Sequence, residues 1–311
     1  MRFQKARDVA FQNFMNEFDK TPQYIAFYMN NEFVKGFKQL SENEIEVKIE
    51  AVIKLFCCLH GRDVFIASYS NLLANRLLNK TSVSDSAEQR MIQQLQVECG
   101  HNTVSKMKTM FQDIIKSQQT MKDFRQASGN SNCVDNIEYS AEILTSGHWP
   151  FQEAPVCKIP ARLMSLQSKF SSFYVNKFQN RKITYVYNHG NLQLETTYLK
   201  KKYQLKVNCF QATVLCLFND SDELTVAQAK EKSQLSDKDF NESVLKLCNP
   251  KTKLISKGKP KVPKLDDPNE KLQLNGAFES NSVLHNVIPQ PNTIKMAREG
   301  AGGVQSMSQV D

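Results

Sequence analysis

The sequence lacks any apolar run approaching the roughly 20 residues that a membrane-spanning helix needs. Its first residues lack the apolar core of a secretory signal. It also lacks a glycine-rich phosphate loop, a G-x-S-x-G nucleophile motif and an H-E-x-x-H metal motif. These absences count against a membrane protein, a secreted protein and the enzyme classes that those motifs define.

Histidine is scarce, and cysteine pairs at the C-x-x-C spacing are missing. The five histidines lie far apart, and none of the eight cysteines belongs to a C-x-x-C pair. A structural zinc site needs its ligands in tighter groups. We therefore expect reduced thiols in a cytoplasmic or nuclear protein, and no metal site.

Helical periodicity dominates the first half of the chain. Residues 63–113 carry three successive apolar stripes at helical spacing. Ser84 is a suitable N-cap for the second of these helices, and Gly100 a suitable stop. Further stripes precede this stretch, separated by short loops. The sequence predicts an antiparallel helical bundle over residues 1–145.

The pattern changes after the bundle. Residues 147–160 carry three prolines and the single tryptophan, which indicates an extended connector. A short helix that includes Phe173 follows, and then two β-like runs at 182–187 and 192–198. The Asn-His-Gly-Asn segment between these runs suits a hairpin turn. We assign residues 146–208 to an α/β region that contains this hairpin.

Residues 209–268 show three short helices followed by a β-like pair, which is typical of a winged-helix domain. Ser236 with Asp239 resembles a capping box at the start of the third helix. We expect residues 269–288 to return as strands of the α/β region. Residues 289–311 are rich in glycine, serine and glutamine, and this composition predicts a disordered tail.

The predicted fold class is therefore α+β, mainly α, and two kinds of partner remain open. A DNA-reading third helix would use Lys238, Asn241 and Lys246, but acidic residues between them disfavour nucleic acid. The strands at 182–198 offer an edge to which a partner strand can add, unless later strands of the same chain cover it.

Six segments of the sequence form an ordered set: HGRDVFIASYSNLLANRLLNKTSVSDSAEQRMIQQL from His60, VECG (Val97–Gly100), VSKMKTMFQD (Val104–Asp113), ILTSGHWP (Ile143–Pro150), FYVNKFQNRKITY (Phe173–Tyr185) and FQATVLCLFND (Phe210–Asp220). In this order they resemble the C-terminal half of cullins, the scaffolds of multisubunit RING-type ubiquitin ligases. The chain departs from the family pattern at Lys108, Thr109, Phe178 and Asn180, all outside the core pattern. LANRLL and LTSGHWP favour a cullin over the cullin-like subunit of the large mitotic ubiquitin ligase.

The resemblance implies a scaffold with no catalytic residue and no cofactor of its own, whose α/β region takes the N-terminal strand of a RING-box protein into its sheet. Through that protein it would position a ubiquitin-conjugating enzyme. The residues expected to form the receiving sheet are Ile183, Tyr185, Tyr187, Leu192, Leu194 and Thr196, with Trp149 and Phe173 as packing support. A winged-helix nucleic-acid-binding protein is the alternative.

Two features of the family have no counterpart in the sequence pattern. One is the N-terminal array of helical repeats that binds the substrate adaptor. The other is the terminal winged-helix domain with its modifier-accepting lysine, which IKMAR (Ile294–Arg298) does not match. We therefore expect this chain neither to recruit an adaptor in the family's way nor to accept the modifier at the family's site.

Overall fold

The computed structural model describes residues 2–129, 133–134, 137–150, 156–249, 252–258, 265 and 267–288. The chain forms two compact units, residues 1–152 and 153–311. The predicted tail at 289–311 lies outside the described residues, as does half of the lysine-rich stretch at 251–264. Among the described residues, no helix combines the length and apolar character needed to cross a membrane.

Helices make up nearly all of the first unit. They are α1 (Arg2–Asn16), α2 (Thr21–Val34), α3 (Glu42–Cys57), α4 (Arg62–Asn79), α5 (Asp85–Cys99) and α6 (His101–Ala127), with a 3-10 turn at Gly36–Gln39. Two short strands, β1 (Cys133–Val134) and β2 (Ile137–Glu138), pair antiparallel. Helix α2 packs on α4, and α5 packs on α3 and α6.

Local capping explains several of these boundaries. The Ser41 hydroxyl accepts the Glu44 amide while the Glu44 carboxylate accepts the Ser41 amide, which forms a capping box on α3. Ser84 caps α5 by accepting the amide of Ala87, as the sequence predicts. Gly100 has a φ of 82° and ends α5, and α6 begins at the next residue.

An ion pair lies inside the core of the first unit. Arg76 donates from Nε to Glu88 Oε1 at 2.5 Å and from Nη2 to Glu88 Oε2 at 2.9 Å. The same carboxylate accepts from the hydroxyls of Tyr69 and Ser82, both at 3.0 Å. Arg76 Nη1 also donates to Asn30 Oδ1 at 2.8 Å. The network joins α2, α4 and α5, and every charged atom in it is paired.

The second unit mixes short helices with two small sheets. Its helices are α7 (Ala161–Lys177), α8 (Cys209–Cys216), α9 (Val226–Ser233) and α10 (Asp237–Leu247), with 3-10 turns at Tyr187–His189 and Leu217–Asn219. Its strands are β3 (Asn191–Glu195), β4 (Gln204–Asn208), β5 (Glu223–Thr225), β6 (Ile255–Lys257), β7 (Lys271–Leu274) and β8 (Leu284–Asn286). One sheet has the order β3-β4-β8 and the other β5-β7-β6.

The predicted strand at 182–187 is wrong. Residues 181–186 belong to no strand, and the 3-10 turn occupies the place of the expected hairpin turn. Strand β3, which covers part of the predicted 192–198 run, pairs antiparallel with β4 instead. The physical reason is the side-chain alternation in β4, which buries Leu205 and Val207 opposite Leu194 and Leu192.

The strands expected to return at 269–288 divide between the two sheets. Strand β8 pairs parallel with β4, and so joins the sheet of the α/β region. Strand β7 pairs antiparallel with β5 and β6, which corrects its predicted assignment to that region. Leu272 of β7 is fully buried opposite Leu224 of β5, and this burial fixes the pairing.

Candidate protein-binding edge

The sheet β3-β4-β8 leaves one side of β3 without a strand partner among the described residues. Strand β3 is at the end of the sheet order, and its five residues alternate between exposed and half-buried. Such an edge carries backbone donors and acceptors that can pair with a strand from another protein.

The hydrogen bonds at both ends of β3 show which of its backbone groups can pair with a strand from another protein. The Thr196 amide donates to the Tyr203 carbonyl at 2.9 Å, and the Cys209 amide donates to the Gly190 carbonyl at 3.0 Å. Antiparallel pairing alternates between residues bonded to the partner strand and residues facing away from it. The backbone N–H and C=O groups of Leu192 and Leu194 therefore point toward β4. Those of Asn191, Gln193 and Glu195 point outward, away from the sheet.

The side chains of Leu192 and Leu194 anchor β3 to the body of the second unit. Both are half-buried and pack against its hydrophobic core. They sit across from the buried Val207 and Leu205 of β4. A partner strand added at the outer edge would extend an apolar face that is already in place.

Two predicted site residues, Tyr185 and Tyr187, attach the preceding segment to α7. Their rings stack with centroids 6.4 Å apart and an interplanar angle of 9°. The Tyr185 hydroxyl donates to the Gln167 carbonyl at 2.9 Å and lies 2.8 Å from the Ser171 hydroxyl. The Tyr187 hydroxyl donates to Gln167 Oε1 at 3.1 Å, and burial raises the pKa of Tyr187. These tyrosines fix the segment that enters β3.

Thr196 closes the β3–β4 hairpin. Its hydroxyl accepts the Tyr203 amide at 3.0 Å, and the residue is only 3% exposed. Ile183 is half-buried in the segment before the tyrosines. Phe173 is half-buried on α7, and its ring centroid lies 6.4 Å from that of Phe170.

Trp149, expected as packing support for the sheet, is buried in the hydrophobic core of the first unit. Its indole Nε1 donates to Asp113 Oδ2 at 2.9 Å. Asp113 also accepts from the backbone amide of Thr145 at 2.7 Å and from the Thr145 hydroxyl at 2.8 Å. This carboxylate thereby ties the segment containing Thr145 and Trp149 to α6.

The sequence analysis missed Gln167, Ser171 and Gly190. The first two are polar residues within the apolar pattern of α7, and no local signal marks them as partners of the tyrosine hydroxyls. A Cβ at Gly190, just before β3, would overlap Sγ of Cys209, so a larger residue there would displace the Cys209 side chain at the start of α8.

The thiols whose pKa values are shifted are poor nucleophiles. Burial raises the pKa of Cys209 to about 12 and that of Cys248 to about 11, and burial together with the neighbouring Glu98 raises that of Cys57 to about 11. With these pKa values the thiols stay protonated at neutral pH. Because the thiolate is the reactive form, they react slowly with electrophiles. Among the residues that the structure describes, no cluster of three potential metal ligands occurs.

Two family models match consecutive parts of the chain. Residues 1–121 match the model described as the cullin alpha solenoid domain, and residues 143–278 match the cullin alpha+beta domain. The chain belongs to the cullin family. The sequence pattern offered no counterpart to the family's N-terminal helical repeats. The first match changes this expectation, because residues 1–121 align with the family's solenoid domain.

Individual cullins support the same assignment. The chain is 32% identical over 251 residues to Cullin-3 of Dictyostelium discoideum, which covers 81% of this chain and 33% of that protein. It is 32% identical over 259 residues to Cullin-3A and 30% identical over 259 residues to Cullin-3B of Arabidopsis thaliana, in each case covering 83% of this chain and 35% of the relative. The chain thus spans about a third of the length of these curated cullins.

Proposed function

We propose that this chain is a scaffold component of a cullin-RING ubiquitin ligase. In this role it holds a RING-box protein through the β3-β4-β8 sheet, and that protein positions a ubiquitin-conjugating enzyme. The observation that carries the proposal is the outward-facing backbone of Asn191, Gln193 and Glu195 on an edge strand. A strand added there gains a ladder of main-chain hydrogen bonds, while flanking apolar side chains supply burial.

The scaffold contributes geometry, and the transfer chemistry belongs to the conjugating enzyme. The protonated thiols support this division, because a ligase that carries ubiquitin as a thioester needs a reactive thiolate of its own. A chain acting within such a complex would work in the cytoplasm, the nucleus or both.

The same proposal treats α8, α9, α10 and the β5-β7-β6 sheet as a winged helix that packs within the scaffold. Its support is the element order, with β5 between the first two helices and β6 and β7 after the third. Helix α10 begins with Asp237 and Asp239, and Lys230 pairs with Asp237. This mixed charge favours a protein contact over a DNA phosphate backbone.

Co-expression with a RING-box protein tests the proposal. We expect the two proteins to co-purify in equal amounts, and the complex to promote ubiquitin discharge from a charged conjugating enzyme. A cullin chain that unfolds cooperatively but never retains the RING-box protein would refute the proposal. Binding to duplex DNA that weakens steeply with salt would instead support the nucleic-acid alternative.

A further inference from the structure

The positive charge of the chain is concentrated in one stretch of its sequence. Residues 154–219 contain ten lysines and arginines but a single carboxylate, Glu195. The whole chain has a net charge of +8, so the residues outside this stretch are nearly neutral taken together. The stretch lies within the second unit. Basic residues gathered in this way are the electrostatic footprint of a surface that binds a polyanion.

The turn between β3 and β4 carries the densest part of this charge. Lys200, Lys201 and Lys202 follow one another in the turn, and Lys206 lies on β4. All four lysines are exposed. Tyr198, two residues before the first of them, has a side chain that is also exposed, at 38%. We refer to Tyr198 and these four lysines as the basic hairpin.

The turn is held rigidly against the body of the second unit. Leu199 is buried in its hydrophobic core. The ring of Tyr203 is buried as well and meets Phe278 edge-on, with centroids 5.1 Å apart. Because Leu199 is held in the core, its neighbours Tyr198 and Lys200 are directed to solvent. A surface fixed in this way loses little conformational entropy when it binds a ligand.

The one carboxylate of the stretch neutralises only part of the hairpin. Lys202 Nζ lies 2.8 Å from Oε1 of Glu195, in a pair whose side chains are 74% and 50% exposed. An exposed ion pair of this kind contributes little to stability, so an incoming phosphate can replace Glu195 as the partner of Lys202. The Lys201 ammonium lies 5.5 Å from the ring centroid of Tyr203. The hairpin therefore presents successive ammonium groups beside aromatic rings.

The exposed ring of Tyr198 distinguishes between classes of polyanion. Proteins that bind single-stranded nucleic acid combine lysines along the phosphate backbone with aromatic side chains on which bases stack. In a duplex the bases are stacked on one another and are not available to Tyr198. An acidic polypeptide offers carboxylates to the lysines but no base to the ring. The hairpin thus matches a single strand better than either alternative.

We propose that the basic hairpin binds single-stranded nucleic acid, with its lysines on backbone phosphates and Tyr198 stacked on a base. This binding goes beyond the scaffold role and does not depend on it, since the hairpin is complete in the chain alone. It also differs from the winged-helix alternative, in which Lys238 and Lys246 of α10 would contact a duplex.

Fluorescence anisotropy of labelled oligouridine RNA and oligothymidine DNA, each of about 20 nucleotides, tests the proposal on the whole chain. We expect dissociation constants of roughly 1–100 µM at physiological salt, rising steeply with potassium chloride. Replacing Lys200, Lys201 and Lys202 together by glutamine should raise the dissociation constant at least about tenfold. It should also lower the slope of its logarithm against the logarithm of salt concentration by about 2, since each contact to a single-stranded phosphate contributes about 0.7. The relative affinities for RNA and DNA identify the natural ligand.

The matched control removes the same charge elsewhere in the second unit. Lys232, Lys238 and Lys246 are exposed lysines on α9 and α10, and their joint replacement by glutamine should leave binding within about twofold. Tyr198→Ala should raise the dissociation constant at least about fivefold without changing the salt slope, and Tyr198→Phe should retain binding. Cooperative unfolding of each variant shows that it is folded.

Three results would overturn the inference. The first is an anisotropy that stays constant at about 50 mM salt, where phosphate contacts are strong. The second is an equal loss of binding in the hairpin and the control variants, or a preference for duplex DNA that only the control variant loses. The third is displacement of the oligonucleotide by poly-glutamate at equal charge concentration together with full binding by Tyr198→Ala, which would identify an acidic protein as the ligand.

Discussion

Arg76 and Glu88 form a two-pronged ion pair, at 2.5 and 2.9 Å, in which neither side chain has appreciable contact with solvent. The guanidinium also lies over the ring of Phe33, with its carbon 4.8 Å from the ring centroid. Taking two charges out of water is costly, and the geometry offsets that cost only while every partner is present. The pair therefore makes the packing of α4 against α5 sensitive to single substitutions.

Glu88→Gln should destabilise the protein by about 3–5 kcal/mol, because it leaves a buried guanidinium without its counter-charge. Urea unfolding followed by far-ultraviolet circular dichroism measures this loss. The double variant Arg76→Met with Glu88→Leu should recover much of it, since an apolar pair removes both charges together.

Arg90→Gln is the matched control for the buried pair. Arg90 contacts Glu46 at 3.3 Å and Glu42 at 3.6 Å, and the two carboxylates are largely exposed. Exposed ion pairs contribute roughly 0–1 kcal/mol, so its replacement should be close to neutral. Equal losses in Glu88→Gln and Arg90→Gln would contradict the role assigned to the buried pair.

Asp113→Ala should release the segment from Thr145 to Trp149 from α6. The variant loses three hydrogen bonds to one carboxylate, and we expect a destabilisation of roughly 2–4 kcal/mol. Trp149 is the single tryptophan, so its fluorescence should shift to longer wavelength as the indole meets water. Asp220→Asn, an exposed position in the second unit, should leave the spectrum unchanged. An unshifted spectrum in Asp113→Ala would contradict the anchoring role.

Features that depend on neighbours in sequence were predictable. The helical stripes and the Ser84 cap need only residues within one or two turns, and the structure has them where the pattern places them. Strand pairing was less accessible, because the alternation at 182–187 offered a neighbouring partner for β3, whereas its pairing with β4 depends on the burial of Leu205 and Val207. The alternation around Tyr185 looked like a strand, yet the tyrosine hydroxyls bond to α7.

The buried network could not be read from the sequence for a different reason. Arginine and glutamate are mostly exposed in proteins, so Arg76 and Glu88 read as surface residues of amphipathic helices. Their pairing depends on how α4 and α5 pack, and the one-dimensional pattern does not encode that geometry. Asp113 and Trp149, 36 residues apart, present the same problem.

Cys209 should resist alkylation in the folded protein. A pKa of about 12, against 9.0 for an ordinary thiol, lowers the thiolate population at pH 8 by about a thousandfold. We expect iodoacetamide to modify Cys209 slowly in buffer and rapidly in urea, as measured by peptide mass mapping. Comparable rates in both conditions would contradict the burial that keeps this thiol protonated.

Gln193→Pro should weaken binding of a RING-box protein by roughly tenfold, because it removes an outward-facing amide and leaves a partner carbonyl unpaired. The β3–β4 ladder does not use that amide, so the variant should still unfold cooperatively. Lys257→Pro is the matched control. The bond from the Gly258 amide to the Lys271 carbonyl places the Lys257 amide on the outer side of β6, at the edge of the other sheet. Equal binding by both variants would count against β3 as the docking edge.

Hydrogen exchange of the β3 amides, with and without a bound RING-box protein, tests the central claim most directly. In the free chain, Leu192 and Leu194 should be protected by β4, while Asn191, Gln193 and Glu195 exchange quickly. On binding, we predict that protection appears at these three odd-numbered amides. A stable complex that leaves all three exchanging at their free rate would contradict strand addition at β3.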